Sequence, residues 1–339
     1  MSDTGPSIYS SVDFSPDLWA AVREVAPAAK INQVPVADGR EIEQHIGDAE
    51  IAVIHGDQDF DPAKAPRLRW LLTASAGVDK LVGGKLWRSP VTICNASGIH
   101  AHSMAELVFA MILSLRHRLP FFARRQKQHV WSQGEPEAQS AGELVGLTMG
   151  ILGYGSVGRE VGRLARAFGM RLIATTIDPG RPEDTGFRLP TAGDEKGALP
   201  DVLRGPDFQR QLMAESDVVV VALPSAPSTR RAIGEADLRA MKSSAILINV
   251  ARGAVVDEQA LIRVLQEKRI AGAGLDVFEV EPLPGDSPLW DMDNVIITPH
   301  IAGGSPGYWQ RLMALLAENI RRERSGAPLL NVVDKQLAF

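Results

Sequence analysis

Short apolar runs alternate along the chain with longer stretches whose apolar positions recur at helical spacing. This rhythm predicts parallel strands joined by helices on both faces of a sheet. In the first third the runs are Ile51-Ala52-Val53-Ile54, Leu68-Arg69-Trp70-Leu71-Leu72 and Val91-Thr92-Ile93. They predict an α/β unit ending near residue 100, while the first 50 residues carry little pattern. From Ser103, the stretch Met104 to Leu113 has the length and residue types of a largely buried helix, which Pro120 is expected to bend or end. A second series then predicts six strands, at 149–152, 171–174, 218–221, 245–248, 272–275 and 295–297, as in a doubly wound dinucleotide fold. Residues 179–214, rich in glycine and proline, read mostly as a long surface excursion with a short helix before Ser216.

Composition narrows the function classes. With 339 residues, 45% of them hydrophobic and 23% charged, the chain is long enough for two packed domains. Its net charge of −5 leaves no basic excess for nucleic acid or an anionic membrane, so a small anionic substrate would need a local positive site. The single cysteine, Cys94, excludes an internal disulfide framework and suggests a reducing compartment. The N-terminus lacks a basic stretch followed by an apolar signal core, and no apolar run approaches the roughly 20 residues that span a bilayer; cytoplasm is the expected location.

The turn Gly153-Tyr154-Gly155-Ser156-Val157-Gly158 follows the first strand of the second series and enters a helical pattern. Glycine at the first position permits a tight turn, at the second it lets a pyrophosphate approach the backbone, and at the third it lets helix and strand pack closely. The helix N-terminus would face the phosphates. The acidic residue that binds the adenosine ribose of NAD is expected about 20 residues on. Thr176 stands there, with Asp178 two residues later. Threonine lifts the repulsion that would exclude the 2′-phosphate of NADP, but the nearest following arginine is Arg181; the balance tips slightly to NAD. Three ionisable residues fall at predicted strand ends: Arg252 in Asn249-Val250-Ala251-Arg252-Gly253, Glu281 before Pro282, and His300 in Thr298-Pro299-His300. A proton-transferring imidazole, a carboxylate to tune it and a guanidinium to hold an acid are what hydride transfer at a 2-oxo or 2-hydroxy acid requires.

These stretches, with Ser75-Ala76-Gly77-Val78-Asp79, Asn95-Ala96-Ser97-Gly98-Ile99 leading into Ala105-Glu106, and Glu143-Leu144-Val145-Gly146, resemble the D-isomer-specific 2-hydroxyacid dehydrogenase family. The motifs run in the family's order over roughly residues 70–335. The resemblance implies a Rossmann domain, 102–301, inserted in a flavodoxin-like substrate domain made of 1–101 and 302–339, with the site in the cleft between them and a homodimer as the assembly. It implies His300 as general acid and base, Glu281 as the partner that favours its charged form and orients the ring, and Arg252 as the carboxylate clamp, with the backbone N–H groups of Ala76 and Gly77 completing the cradle. By the same resemblance the cofactor would touch Gly153, Gly155, Ser156, Val157, Gly158 and Thr176. It would also meet Leu223, Pro224, Val250, Ala251, Arg252, Asp276, His300 and Gly303.

Each residue has a plainer reading: His300 as a surface histidine, Glu281 as a solvated acid, Arg252 as an ion-pair partner, Asp276 as a cap, and Leu223, Pro224 and Val250 as core. His100 and His102 stand two apart near a helix start without further ligands nearby, and no metal site is expected. Trp290, Tyr308 and Trp309 are candidates for the substrate pocket or for aromatic core, and Cys94 for a buried small residue. The expected activity is NAD(P)-dependent interconversion of a small 2-oxo acid, glyoxylate or hydroxypyruvate, with its D-2-hydroxy acid. Phosphoglycerate or phosphite dehydrogenases of the same fold stay open. So does a nucleotide-sensing scaffold or corepressor, against which the lack of long charged tails is expected to count.

Overall fold

A computed structural model describes residues 5–36, 38–56, 58–139 and 142–339. Two wholly parallel sheets organise it. The first is formed by β1 (Ser7–Ser10), β2 (Lys30–Gln33), β3 (Ile51–Ile54), β4 (Trp70–Thr73) and β5 (Thr92–Cys94), in the order β2-β1-β3-β4-β5. The second is formed by β6 (Thr148–Leu152), β7 (Arg171–Thr175), β8 (Val202–Arg204), β9 (Val218–Val221), β10 (Ile246–Asn249), β11 (Gly272–Leu275) and β12 (Val295–Ile297). Its order is β12-β11-β10-β9-β6-β7-β8, so the winding reverses between β6 and β9. In open α/β sheets ligands bind outside the carboxyl ends of the strands at such a reversal.

Fully buried strands read as unbroken apolar runs, and Val218 to Val221 are completely covered. Three strands lacked that signature. β1 is Ser-Ile-Tyr-Ser, with Ser10 inside because its hydroxyl is bonded to the Val12 carbonyl. β2, Lys-Ile-Asn-Gln, and β8, Val-Leu-Arg, are edge strands with partly exposed side chains. The first unit therefore has five strands rather than three, and the second seven rather than six.

Two crossovers join the sheets. The helix Ala101–Arg116 leaves β5 and buries Ala105, Val108, Met111 and Ile112 in the core of the second sheet, against Ile151, Val161 and Ile248. Pro120 sits in the first turn of a new helix, Leu119–Lys127, a position where its missing N–H costs nothing, after a left-handed residue at Arg118. The chain returns in the helix Tyr308–Ser325, whose Leu312, Leu315, Leu316 and Ile320 pack with Ile8, Val22, Ile51 and Trp70 of the first sheet. Beyond it Val332 bridges Cys94 in antiparallel fashion, and Cys94 is buried, its thiol pushed up to about 12 by desolvation. The dinucleotide-type domain is thus inserted in the first.

The short helix expected before Ser216 is present as Gln209–Glu215, but the preceding 177–200 connection is more than a surface excursion. Asp194 is buried and accepts from the Tyr154 hydroxyl (2.9 Å) and from the N–H groups of Ala198 and Leu199. Arg159 reaches the Asp194 and Pro182 carbonyls, both at 2.6 Å. At the other side Phe187 donates its N–H to Asn331 (2.9 Å) and lies over Gly98, where a Cβ would overlap the Phe187 carbonyl. The connection is therefore tied to both domains. No helix among the described residues is long and apolar enough to cross a membrane.

Candidate active site

Three glycines after β6 play separate parts. Gly153 adopts φ of 95°, and a side chain there would meet the Ala222 carbonyl at 2.6 Å, so the turn closes against the end of β9. A Cβ at Gly158 would strike the Gly153 carbonyl, whereas one at Gly155 would meet nothing within 4 Å. Gly155 thus opens onto free space at the switch point, as a backbone that cradles a pyrophosphate must. The helix Ser156–Ala167 begins there, and the Ser156 hydroxyl faces that of Ser97, from the other domain, at 3.1 Å. Leu223 and Pro224 follow β9 partly exposed beside this turn, while Val250 and Ala251 are buried at the end of β10.

On the first domain, Ala76 and Gly77 follow β4. Among the described residues neither backbone N–H is bonded within the protein, and both residues are partly accessible. Arg252 reaches across to the second of them: a Cβ on Gly77 would overlap its guanidinium. The same guanidinium donates to the Ala251 carbonyl (2.9 Å) and lies 3.7 Å from Asp79, a loose contact that leaves donors of its fork for an acid. In the sequence Asp79 is only the last residue of a motif; its place beside Arg252 emerges from the fold.

His300 Nδ1 lies 2.7 Å from Glu281 Oε2, and the other oxygen of Glu281 accepts the Phe278 N–H at 2.9 Å. One carboxylate oxygen thus aims at the imidazole while its twin is anchored to the backbone. His300 itself has φ of 55°, sparsely populated for a side-chain-bearing residue, and is held there by its N–H to the Asp276 carbonyl (2.8 Å). Asp276 is buried, accepting from Thr298 Oγ1 (2.5 Å) and from the N–H groups of Ile301 and Ala302 (both 3.0 Å). It shapes the loop that presents His300, with Gly303 at its far end. His100 and His102 turn to different partners, the Gly303 carbonyl and Glu160. Of the aromatic candidates, Tyr308 lies 5.1 Å from the His100 ring and bonds the Ala74 carbonyl; Trp309 packs edge-on to Phe14 in the core, and Trp290 is exposed and bonded to the Pro284 carbonyl.

Thr176 follows β7, and its N–H donates to the carbonyl of Arg204 (2.9 Å) at the end of β8. Arg204 is exposed; its guanidinium donates to the Leu203 carbonyl (2.9 Å), and among the described residues it has no acidic partner. Nothing in the sequence marks Arg204, which lies 28 residues from Thr176; only the β7–β8 register, Thr175 opposite Arg204, makes them neighbours. Asp178 is exposed and 3.8 Å from Arg181.

A glycine turn at a sheet reversal, in a two-domain fold that also carries an arginine beside Gly77 and an imidazole–carboxylate pair, is the arrangement of a nicotinamide-dinucleotide dehydrogenase. Residues 109–302 match the model for the NAD-binding domain of D-isomer specific 2-hydroxyacid dehydrogenases. A glyoxylate reductase of Korarchaeum cryptofilum is 32% identical over 326 residues, covering 96% of this chain and 91% of that protein. Glyoxylate/hydroxypyruvate reductase B of Yersinia pestis is 34% identical over 83% of this chain and 82% of its own. A D-isomer specific 2-hydroxyacid dehydrogenase of Xanthobacter autotrophicus, solved with NADPH and MES, superposes with a TM-score of 0.78 at 30% identity, over 99% of this chain and all of that one. The chain belongs to the D-isomer-specific 2-hydroxyacid dehydrogenase family, as an NAD(P)-dependent enzyme.

Proposed function

We propose that the enzyme reduces a small 2-oxo acid, glyoxylate or hydroxypyruvate, to its D-2-hydroxy acid. The observation that carries this is the contact of Arg252 with Gly77, whose N–H, like that of Ala76, has no partner among the described residues, in a chain that also aligns His300 with Glu281. The bound nicotinamide supplies the hydride. Arg252 and the two N–H groups hold the substrate carboxylate, and Arg252 polarises the adjoining carbonyl. His300, protonated and oriented by Glu281, delivers the proton to the carbonyl oxygen through Nε2, because Nδ1 is engaged by the carboxylate. In this reading 1–101 and 302–339 bind substrate and 102–301 bind the dinucleotide, with Gly153, Gly155 and Gly158 at the pyrophosphate.

Arg204 beside Thr176 moves the cofactor reading from the narrow preference for NAD toward NADPH: a position without a carboxylate is joined by an exposed cation with no acidic partner among the described residues, and the Xanthobacter relative was solved with NADPH. A homodimer is the proposed assembly, supported by exposed Leu119, Phe122, Val130 and Trp131 around a hollow of about 890 Å³. A monomer by sedimentation would overturn that. The activity is tested by following oxidation of NADH and NADPH separately with glyoxylate, hydroxypyruvate and pyruvate. Faster turnover with NADPH and a 2-oxo acid is expected; nucleotide binding without turnover of any acid would favour a sensing role instead.

A further inference from the structure

His100 takes no part in the proton transfer described above, yet it stands where the chain first crosses between domains, and Gly303 stands just after the His300 loop on the way back. The ring is packed against Gly303 and Tyr308, and the residue as a whole is half-buried. Burial, reinforced by the positive charges of Arg252 and Arg311, lowers its pKa to about 4, so it carries a single ring proton at neutral pH even though the Gly303 carbonyl opposes the shift. A carbonyl can only accept, so the contact between Nδ1 and the Gly303 oxygen at 3.3 Å assigns that proton to Nδ1. Nε2 is then a bare acceptor, and among the described residues it has no protein donor.

His100 is near enough to Arg252 to feel its charge, and its ring packs on Tyr308, which bonds the Ala74 carbonyl two residues before Ala76, so a neutral acceptor stands next to the proposed carboxylate cradle. It adds nothing to the binding of an anion and is repelled by a second carboxylate or phosphate oxygen. It suits a substrate whose far end donates a hydrogen bond. We propose that His100 is a specificity-determining residue whose Nε2 accepts from a hydroxyl on the third carbon of the 2-oxo acid. The enzyme would then select hydroxypyruvate over pyruvate, which presents a methyl group at that place. The proposal rests on the 2-oxo acid reading of the same site. A site built to pair a substrate hydroxyl discriminates strongly against the analogue that lacks it, because its own polar group is left unpaired.

The test compares kcat/KM for hydroxypyruvate and pyruvate in the wild type, His100→Leu and His100→Gln, each checked for native melting and cofactor binding. The ratio of the two is expected to favour hydroxypyruvate by about 10-fold or more in the wild type, to fall about 10-fold in the leucine variant, and to recover partly in glutamine, whose amide oxygen can accept. An unchanged ratio in a folded leucine variant overturns the proposal, as does an equal loss on both substrates, which would show a merely structural role. If the leucine variant does not fold, the wild-type ratio decides: no preference for hydroxypyruvate overturns it. Turnover of neither acid nor of glyoxylate by the wild type would instead bring down the reductase reading itself, an outcome distinct from an unmoved ratio.

Discussion

The glycine turn at 153–158 and the connection at 177–200 adjoin the same helix, Ser156–Ala167, but take their shapes from different sources. The turn is specified by its own residues: a left-handed glycine at 153, open space at 155 and close packing at 158, within six positions. The connection is held by side chains far from it in sequence, namely Tyr154, Arg159, Glu160 and Asn331. A backbone that approaches a ligand must be set locally, since few side chains can intervene there. A connection that only has to stay in place can be tied from outside. Chemistry should therefore be sensitive to the first kind of region and stability to the second.

The largest effect is expected in the cleft. His300→Ala should lower kcat by about 10²-fold or more while leaving cofactor binding in place, as measured by nucleotide fluorescence; near-normal turnover would remove His300 from proton transfer. Next, Arg204→Ala should raise KM for NADPH by about 10-fold and hardly alter that for NADH, the size of one lost charge-assisted contact. Equal effects on both cofactors would show that Arg204 does not meet the 2′-phosphate.

In the connection, Asp194→Ala strands the Tyr154 hydroxyl and two N–H groups, and should cost about 1–3 kcal/mol in denaturant unfolding with kcat little changed. A catalytic loss as deep as that of His300→Ala would erase the contrast between the regions. The smallest effect concerns acid. Glu160, 1% exposed, is desolvated, which raises its pKa, but bonds from Arg163, the Gly193 N–H and His102 outweigh this and hold it below the usual glutamate value. Its ionised form is thus favoured by folding, so its contribution is complete above the unfolded value near about 4.3 and is lost as pH falls through the lower folded value. Glu160→Gln should flatten the acid limb of a stability–pH curve, and an unaltered limb would refute this.

Much of the nucleotide sheet was legible in the chain because strands covered on both faces must be continuously apolar, as at Val218–Val221. β1, β2 and β8 were not, since edge strands and buried serines bonded to backbone carry no such mark. Pro120 illustrates a second limit. Its rigid ring announces a break but does not say whether a helix ends or begins, and here it begins. Of the candidate site, Arg252, Glu281 and His300 were readable from strand-end motifs, whereas the neighbours of Asp79, Arg204 and His100 were not.

The sequence by itself determined the alternation that makes two α/β units, the glycine spacing that shapes a dinucleotide turn, and the residue types of the proposed reacting set. Only the tertiary structure decided that Arg252 meets Gly77, that Arg204 stands beside Thr176, and that His100 Nδ1 lies against the Gly303 carbonyl. The physical reason is range. Backbone dihedrals and burial periodicity act over a few residues, whereas hydrogen-bond partners and charges are chosen by distance in space, which strand order and domain insertion set after the local elements have formed.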